Sequence, residues 1–162
     1  MTAAIYNSGE PLSATEVEQV EQELGYVFPA EYRDFLLAHN GGQAVEGVFP
    51  VHDPPHERHG LLDRFLCVCP EDPYNLLDWV SDYVGRLQSN LLPVAVDQAG
   101  NLIVLSVAGS ARGKVYFWDH ELEAPEGELQ SSENVHPVAD SFQSFLDGLQ
   151  PLSDASVEGA TE

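Results

Sequence analysis

The strongest constraint on the fold is a series of three short apolar runs in the second half of the chain. Leu91–Val96, Leu102–Val107 and Lys114–Trp118 are rich in the aliphatic and aromatic residues that favour strands. The connecting segments, 97–101 and 108–113, are short and contain the Asp, Asn, Ser and Gly residues typical of tight turns. Strands joined by such short connections pair side by side, so the sequence predicts an antiparallel meander.

Helical periodicity dominates the first forty residues. The segment Ser13-Ala-Thr-Glu16 has the form of a capping box, and apolar residues follow at helical spacing, which predicts a helix over 13–24. Gly25 ends that helix, and Phe28-Pro29 begins a second one with proline at its first helical position. The triplet Asn40-Gly41-Gly42 stops the second helix, because these residue types accept left-handed backbone most readily.

The region between residues 45 and 90 mixes strand-like and helical patterns. Val45–Val51 and Phe65–Val68 have the composition of strands, and His52–Gly60 is predicted to be a loop because prolines interrupt it. A third helix is predicted from Asn75, its N-cap, to Leu87. Its buried face is formed by residues at helical spacing: Leu76, Leu77, Val80, Tyr83, Val84 and Leu87.

A last helix is predicted behind Asp140 or Ser141, either of which can act as its N-cap. Its apolar positions recur at helical spacing: Phe142, Phe145, Leu146 and Leu149. The sequence therefore predicts an α+β fold, a single domain in which N-terminal, middle and C-terminal helices pack on one antiparallel β-sheet. A chain of 162 residues is long enough to bury such a core without disulfides or metals.

The charge balance excludes several classes of function. The chain contains 27 Asp plus Glu residues against 6 Lys plus Arg, a formal net charge of −21 at pH 7. Because such a surface repels phosphate groups and offers no basic patch, we expect neither nucleic acids nor membranes as partners. The apolar runs are far shorter than the roughly 20 residues that span a bilayer. No secretory signal is visible in the first ten residues, so we expect a cytoplasmic location.

The negative charge is concentrated at the two ends of the chain. Residues 1–24 contain five acidic residues and no basic one, and residues 121–162 contain ten and none. We predict a flexible segment over 1–11, a folded domain over 12–149 and an acidic flexible tail over 150–162. The tail is not expected to fold because it has no aromatic residue and few aliphatic ones.

Four fragments of the sequence are characteristic in their order and spacing. They are Phe28-Pro-x-x-Tyr32-x-x-Phe35-Leu-x-x-x-Asn40-Gly-Gly42, then Leu92-Pro93 with Asp97-x-x-Gly100-Asn101, then Gly113-x-Val115-Tyr-Phe-Trp118-x-His120-Glu, and Ser141-Phe-x-x-Phe-Leu146. Together they resemble the SUKH family of Smi/Knr-like proteins over about Leu12 to Leu149. The resemblance implies the α+β fold already predicted. It also implies that bacterial members act as immunity proteins against toxins, often nucleases, and that fungal relatives regulate cell-wall synthesis and signalling.

The resemblance transfers no catalytic residue, because the family has no known shared catalytic site. Pro29 presets a helix start, Gly41 and Gly42 permit a chain reversal, and Gly100 lies in a hairpin. The other matched positions that we interpret as structural are Tyr32, Asn40, Asp97 and Gly113. Asp and Asn at turn positions bond their own backbone more often than they act in catalysis.

Histidines and cysteines in the middle of the chain raise the alternative of a metal site. His52, His56 and His59 precede Cys67 and Cys69, and zinc uses such ligands. Two prolines prevent a helical presentation of the first two histidines, and the C-x-C spacing is shorter than usual, so a polar loop and reduced thiols are preferred. No G-x-S-x-G or Walker motif occurs. We therefore predict no metal, no cofactor and no enzymatic activity.

The predicted function is that of a non-catalytic protein-binding module. Because a nuclease toxin needs a positive groove for its substrate, we expect the partner of an acidic immunity protein to be a basic toxin domain. The candidate contacts come from the acidic loop of residues 121–133 and the last β-rich run: Glu121, Glu123, Glu126, Glu128, Tyr116 and Trp118. Core packing is the alternative for the aromatic pair, and solubility alone is the alternative for the acidity. The alternative function is a regulatory or scaffolding protein of the fungal type.

Overall fold

The backbone combines helices with antiparallel strands, as the sequence predicts, and adds strands that it does not predict. A computed structural model describes residues 4–55, 57–125 and 133–151. In these ranges the elements are β1 (Ile5–Tyr6), α1 (Ala14–Leu24), α2 (Ala30–Ala38), β2 (Gln43–Ala44), β3 (Val48–Val51), β4 (Arg58–Phe65), α3 (Leu76–Asp82), β5 (Leu91–Asp97), β6 (Leu102–Ser106), β7 (Val115–Trp118), β8 (Val135–Ala139) and α4 (Phe142–Asp147). A short 3₁₀ helix, His120–Leu122, follows β7. The predicted α+β single domain is confirmed.

Six strands form one antiparallel sheet in the order β3-β4-β5-β6-β7-β8, and β1 pairs with β2 in a small second sheet. The predicted meander of β5, β6 and β7 is confirmed and extends by neighbouring strands on both sides. The outer strands contact each other, and the backbone N–H of His52 donates to the carbonyl of Pro137 at 2.9 Å. Val48 of β3 also exchanges two backbone hydrogen bonds with Gln150. The sheet is therefore curved, and its outer strands have backbone partners.

Helices α1, α2 and α4 contribute to the larger core, which lies on one face of the sheet. Its centre consists of buried aromatic rings: the centroids of Phe35 and Phe65 are 4.6 Å apart, and that of Phe142 lies 5.2 Å and 6.1 Å from them. Each buried phenylalanine contributes about 1.5–3 kcal/mol of hydrophobic free energy. This face supplies most of the stabilisation.

The opposite face of the sheet carries a smaller core cluster. Alternation along β6 places Leu102 and Val104 on this face, together with Trp118 of β7. Trp79 and Tyr83, from α3 and the residue that follows it, pack against the cluster, and the ring of Tyr83 meets that of Trp118 edge-on at 5.6 Å. The residues that cover this face are therefore concentrated near α3, and the part of the face that includes Tyr116 is more exposed to solvent.

The predicted helix ends agree closely with the structure. Ser13 and Glu16 form the predicted capping box of α1, and Gly25 ends the helix with a φ of 90°. Pro29 precedes α2 instead of occupying its first helical position, because its extended backbone, with a ψ of 142°, places it just before the helix. Ser141 is the N-cap of α4. None of the helices in the described ranges has the length and apolar composition needed to cross a membrane.

The third helix is shorter than predicted. It ends at Asp82, and the chain then turns through Gly85, which has a φ of 82°. Val84, assigned to the buried face of that helix, is therefore 76% exposed. Asn75 is the N-cap residue, as predicted, but its side chain makes no capping hydrogen bond, because its oxygen accepts the backbone N–H of Cys69 at 3.1 Å.

Two strands in the middle of the chain are displaced from their predicted positions. β3 begins at Val48, and β4 occupies Arg58–Phe65 instead of Phe65–Val68. The reason is a hairpin in which Val51 lies opposite Arg58, so that the loop is limited to residues 52–57. His59 belongs to a strand as a result.

Strands β1, β2 and β8 were not predicted, because they are short or polar. Ile5 lies opposite Ala44, and Tyr6 lies opposite Gln43. Residues 4–10 of the predicted flexible N-terminal segment therefore include backbone partners of the folded domain.

Candidate partner-binding surface

Asn40, in the first matched fragment, connects several backbone segments through buried hydrogen bonds. This side chain is fully buried in left-handed backbone with a φ of 48°. Its amide nitrogen donates to the carbonyls of Glu10 at 2.7 Å and Val68 at 3.2 Å, and its oxygen accepts the N–H of Val68 at 2.7 Å. The Asn40 carbonyl accepts the N–H of Gly9 at 3.0 Å. Asn40 thereby joins three segments through buried, satisfied hydrogen bonds.

The two glycines after Asn40 are required by close packing as well as by left-handed backbone. Gly41 and Gly42 have φ values of 89° and 107°. A Cβ on Gly41 would lie 2.8 Å from the Cβ of Cys67, and one on Gly42 would lie 2.7 Å from the carbonyl oxygen of Tyr6. Both glycines therefore serve the fold at this position.

A second group of matched residues meets at one end of the large sheet. Asp97, the last residue of β5, accepts the backbone N–H of Ala99 at 2.9 Å and that of Asn101 at 2.7 Å through Oδ1. Asn101 donates from Nδ2 to Oδ2 of Asp97 at 3.1 Å, and its Oδ1 accepts the N–H of His120 at 3.0 Å. These bonds tie the β5–β6 turn to the segment after β7.

The same network fixes which nitrogen of the His120 ring carries the proton. The Oδ1 atom of Asn101 lies 2.6 Å from Nδ1 of His120 and has no hydrogen to donate, so Nδ1 must be the donor. In the neutral ring, Nε2 then carries the lone pair. His120 therefore brings a hydrogen-bond acceptor to the cleft that it lines.

This cleft has a volume of about 440 Å³ and lies between β4, the β5–β6 turn and the residues after β7. Arg58 places its guanidinium carbon 5.4 Å from the centroid of Phe117. Its Nε lies 3.3 Å from Oδ2 of Asp53, and its Nη2 lies 3.6 Å from Oδ2 of Asp119. The arginine of the cleft is therefore already paired with two carboxylates.

Carboxylate groups line the cleft. Glu121 is exposed at its edge, and its backbone N–H donates to Oδ1 of Asp119 at 3.0 Å. The described residues that line the cleft include no Ser, Thr or Cys. Burial, reinforced by Cys69, raises the pKa of the Cys67 thiol, which lies elsewhere beside Asn40, so that it stays protonated at neutral pH. Among the described residues, the lining of the cleft therefore offers carboxylates and imidazoles but no hydroxyl or thiol of Ser, Thr or Cys.

The four glutamates predicted as partner contacts fall into three groups. Glu121 is exposed at the cleft. Glu123 is bound by Arg86 through two hydrogen bonds, at 2.7 Å from Nε and 3.0 Å from Nη2. Both of its carboxylate oxygens are therefore engaged in an ion pair within the protein, and its role as a partner contact stays a prediction. Glu126 and Glu128 lie outside the described residues.

The structure separates the two aromatic residues predicted as contacts. Trp118 is fully buried against Tyr83, so its assignment as a contact is corrected to core packing. Its burial results from the cover that α3 and the following turn provide. Tyr116, two residues earlier on the same face, is partly exposed in a groove beside Leu91 and Val135, and it stays a predicted contact.

Within the described ranges, the histidines of the alternative metal site contact residues that do not form a shared metal site with them. His52 places Nδ1 3.2 Å from Oε2 of Glu57, and His59 lies in β4 opposite Pro50. His56 lies outside the described residues. In the part of the chain that the structure describes, no group of three or more His, Cys, Asp or Glu side chains has a geometry that could hold a metal ion.

Most basic residues are neutralised within the protein. Four of the six form ion pairs with Asp or Glu: Arg33, Arg58, Arg64 and Arg86. Arg112 donates to the carbonyl of Val27 at 2.8 Å. With 27 acidic residues in the chain, the exposed carboxylates far outnumber the bases that could neutralise them.

Sequence reasoning missed Arg58 and Arg86, which organise the charges at and beside the cleft. Arg86 lies 37 positions before Glu123, and no short-range pattern links residues so far apart. The available signal was that Arg86 is the only base among residues 67–96, within an otherwise acidic segment. An isolated base of this kind is a candidate for a long-range ion pair.

Comparisons with known proteins agree with this architecture. Residues 11–148 match the model of the SMI1 / KNR4 family (SUKH-1), and the chain belongs to this family. It is similar to the SPbeta prophage-derived uncharacterized protein YokK of Bacillus subtilis (strain 168), with 27% identity over 147 residues, covering 81% of this chain and 71% of that protein. It is also similar to the uncharacterized protein YnaB of the same organism, with 40% identity over 48 residues, 30% of this chain and 33% of YnaB. The predicted family is confirmed.

Proposed function

We propose that this protein neutralises a basic toxin by stoichiometric binding, as a non-catalytic immunity protein. The observation that carries the proposal is the excess of negative charge. The chain contains 27 acidic and 6 basic residues, and four of the six basic residues form ion pairs within the protein. A nuclease toxin must present a positive groove to its anionic substrate, and this groove would be complementary to such a surface.

The cleft beside Glu121 is the proposed place for a lysine or arginine of the toxin. Glu121 offers a carboxylate, and His120 offers Nε2 as an acceptor in its neutral form. The long-range field accelerates the encounter, whereas the contacts formed after docking determine how slowly the complex dissociates. The cleft would thus contribute orientation and selectivity for a basic partner.

Family membership and the character of the relatives support an immunity role. SUKH proteins are generally non-catalytic, and YokK is by its name prophage-derived. The resemblance described above implies an immunity role for bacterial members of this family. We propose the cytoplasm as the compartment in which the protein meets its toxin.

Affinity capture tests the proposal. The tagged full-length protein is used as bait in a lysate of its native host at low salt, and the bound proteins are identified by mass spectrometry. We expect to recover one basic toxin that is released as the salt concentration rises. We also expect an equimolar amount of the tagged protein to abolish the activity of that toxin. Capture of only signalling or cell-envelope proteins, or none, would contradict toxin neutralisation and favour the regulatory alternative.

A matched pair of variants tests the role of the cleft. Glu121→Lys and Glu46→Lys each replace an exposed glutamate and change the net charge equally, but Glu46 does not line the cleft. We expect Glu121→Lys to weaken toxin binding by about tenfold, about 1.4 kcal/mol, and Glu46→Lys to weaken it much less. Equal losses would show that only the total charge matters and that the cleft is not the docking site.

A further inference from the structure

Two exposed apolar side chains lie on neighbouring segments beside the partly covered face. Val84 is 76% exposed and Leu122 is 58% exposed. Each is within two residues of a member of the Arg86–Glu123 ion pair, whose two hydrogen bonds hold the segments together. The ion pair therefore brings residues 84–86 and 121–123 to the same part of the surface, although they are distant in the sequence.

A groove of about 420 Å³ extends from Val84 toward the end of α1. Its lining is mainly apolar and includes Leu24, Tyr26, Val80, Tyr83 and Leu91. Glu23 lines the same groove, and Asp82 lies close enough to Tyr83 to act on it electrostatically. Arg86 stacks its guanidinium carbon 4.2 Å from the centroid of Tyr83 and is paired with Glu123. The groove is thus apolar in its floor and negative in its surroundings.

We propose that Val84, Leu122, the Arg86–Glu123 pair and this groove form the docking surface for an apolar side chain flanked by lysines or arginines on a basic protein. The inference rests on the proposed function and adds the place and the chemistry of the contact. Complementary charge selects this occupant, because Glu23 lines the groove and the exposed carboxylates of Asp82 and Glu121 are next in sequence to Tyr83 and Leu122. A second copy of the chain would bring another charge of −21 to the same surface, and an anionic membrane would be repelled in the same way.

Defined peptides test the surface without knowledge of the natural partner. The probe is a fluorescein-labelled 14-residue peptide with one central tryptophan flanked by lysines, and fluorescence anisotropy reports its binding to the full-length protein. One control peptide has serine in place of tryptophan, and another has glutamates in place of the lysines. We expect the serine peptide to bind at least tenfold more weakly than the probe, and the acidic peptide not to bind.

Variants of the protein locate the binding. Val84→Glu and Leu122→Glu should each weaken binding of the tryptophan peptide at least fivefold, even though the added negative charge favours a basic ligand. Val45→Glu is the matched control, because Val45 is 66% exposed on a separate turn between β2 and β3. It should leave the affinity within twofold of the parent. All three positions are exposed, so folding should be preserved, as circular dichroism would show.

The outcomes distinguish this inference from the proposed function. Absence of peptide binding, equal binding of the tryptophan and serine peptides, or an equal loss in Val45→Glu would overturn the docking surface. If a toxin is captured but Val84→Glu and Val45→Glu retain it equally, the docking surface is wrong and toxin neutralisation stands. If the peptide results hold but no toxin is captured, toxin neutralisation is wrong and the surface for a basic protein stands.

Discussion

The two faces of the large sheet are formed by the same strands but differ in how completely other elements cover them. The face that packs against α1, α2 and α4 is closed over a core of interlocking phenylalanine rings. The other face has a smaller cluster around Trp118, with cover concentrated near α3, and Tyr116 stays partly exposed. The Arg86–Glu123 pair and two exposed apolar side chains lie beside this second face. The difference indicates that the closed face provides stability and that the open side is available for recognition.

The largest expected difference between the faces is in the free energy of unfolding. Phe65→Ala removes a ring that is 1% exposed and contacts three other rings of the closed face, and should cost about 3–5 kcal/mol. Tyr116→Ala on the open face should cost about 1 kcal/mol or less. Urea unfolding at pH 7 measures both values. Equal losses would contradict the division into a closed and an open face.

The buried hydrogen bonds of Asn40, after α2, should show the next largest effect. Asn40→Ala leaves the N–H of Val68 and the carbonyl of Glu10 without their buried partner, and should cost about 2–3 kcal/mol. Asn7→Ala is the control, because Asn7 is also in left-handed backbone, with a φ of 54°, but is exposed. The same urea series compares the two. A similar cost in both variants would mean that backbone conformation, not the buried hydrogen bonds, determines the loss.

A smaller effect is expected from Cys67, because burial raises the pKa of its thiol above the ordinary value near 9. In the unfolded chain the thiol ionises as pH rises, while in the folded protein it stays protonated. The free energy of unfolding should therefore fall between about pH 8 and 10, by at most about 1.4 kcal/mol per pH unit. Cys67→Ala should reduce this slope. An unchanged slope in chemical unfolding experiments would show that other groups cause it.

The smallest expected effect concerns the ion pair beside the open face. The side chain of Arg86 is 43% exposed and that of Glu123 is 18% exposed, so solvent screening limits the strength of the pair. A double-mutant cycle with Arg86→Met and Glu123→Gln should give a coupling free energy of about 0.5–1 kcal/mol. A coupling near zero would remove this pair as the link between residues 84–86 and 121–123.

Short sequence patterns correctly predict the elements that depend on interactions between adjacent residues. The capping box at Ser13 and Glu16 and the turn residues between β5 and β6 gave the correct elements, because a few adjacent residues determine them. β4 was misplaced and β8 was missed, because their registers are fixed by partner strands. Val51 opposite Arg58 and Trp118 opposite Val135 are pairings that no short window of sequence contains.

The candidate surface was only partly predictable for the same reason. Glu121 and Tyr116 are predicted contacts from charge and strand alternation, and the structure leaves Glu121 exposed and Tyr116 partly exposed. Trp118 was placed on the correct strand, but its burial depends on Tyr83, which is 35 positions earlier and belongs to the cover of that face. Val84 was assigned to a buried helical face because periodicity does not reveal that the helix ends at Asp82.

Amide hydrogen exchange of the full-length protein, alone and bound to the captured toxin, tests the central claim most directly. The account predicts that exchange slows in residues 83–87 and 120–123, beside the open face, and is unchanged in β2 and the turn that follows it. Slowed exchange confined to the outer surfaces of α1 and α2, with residues 83–87 and 120–123 unaffected, would contradict it.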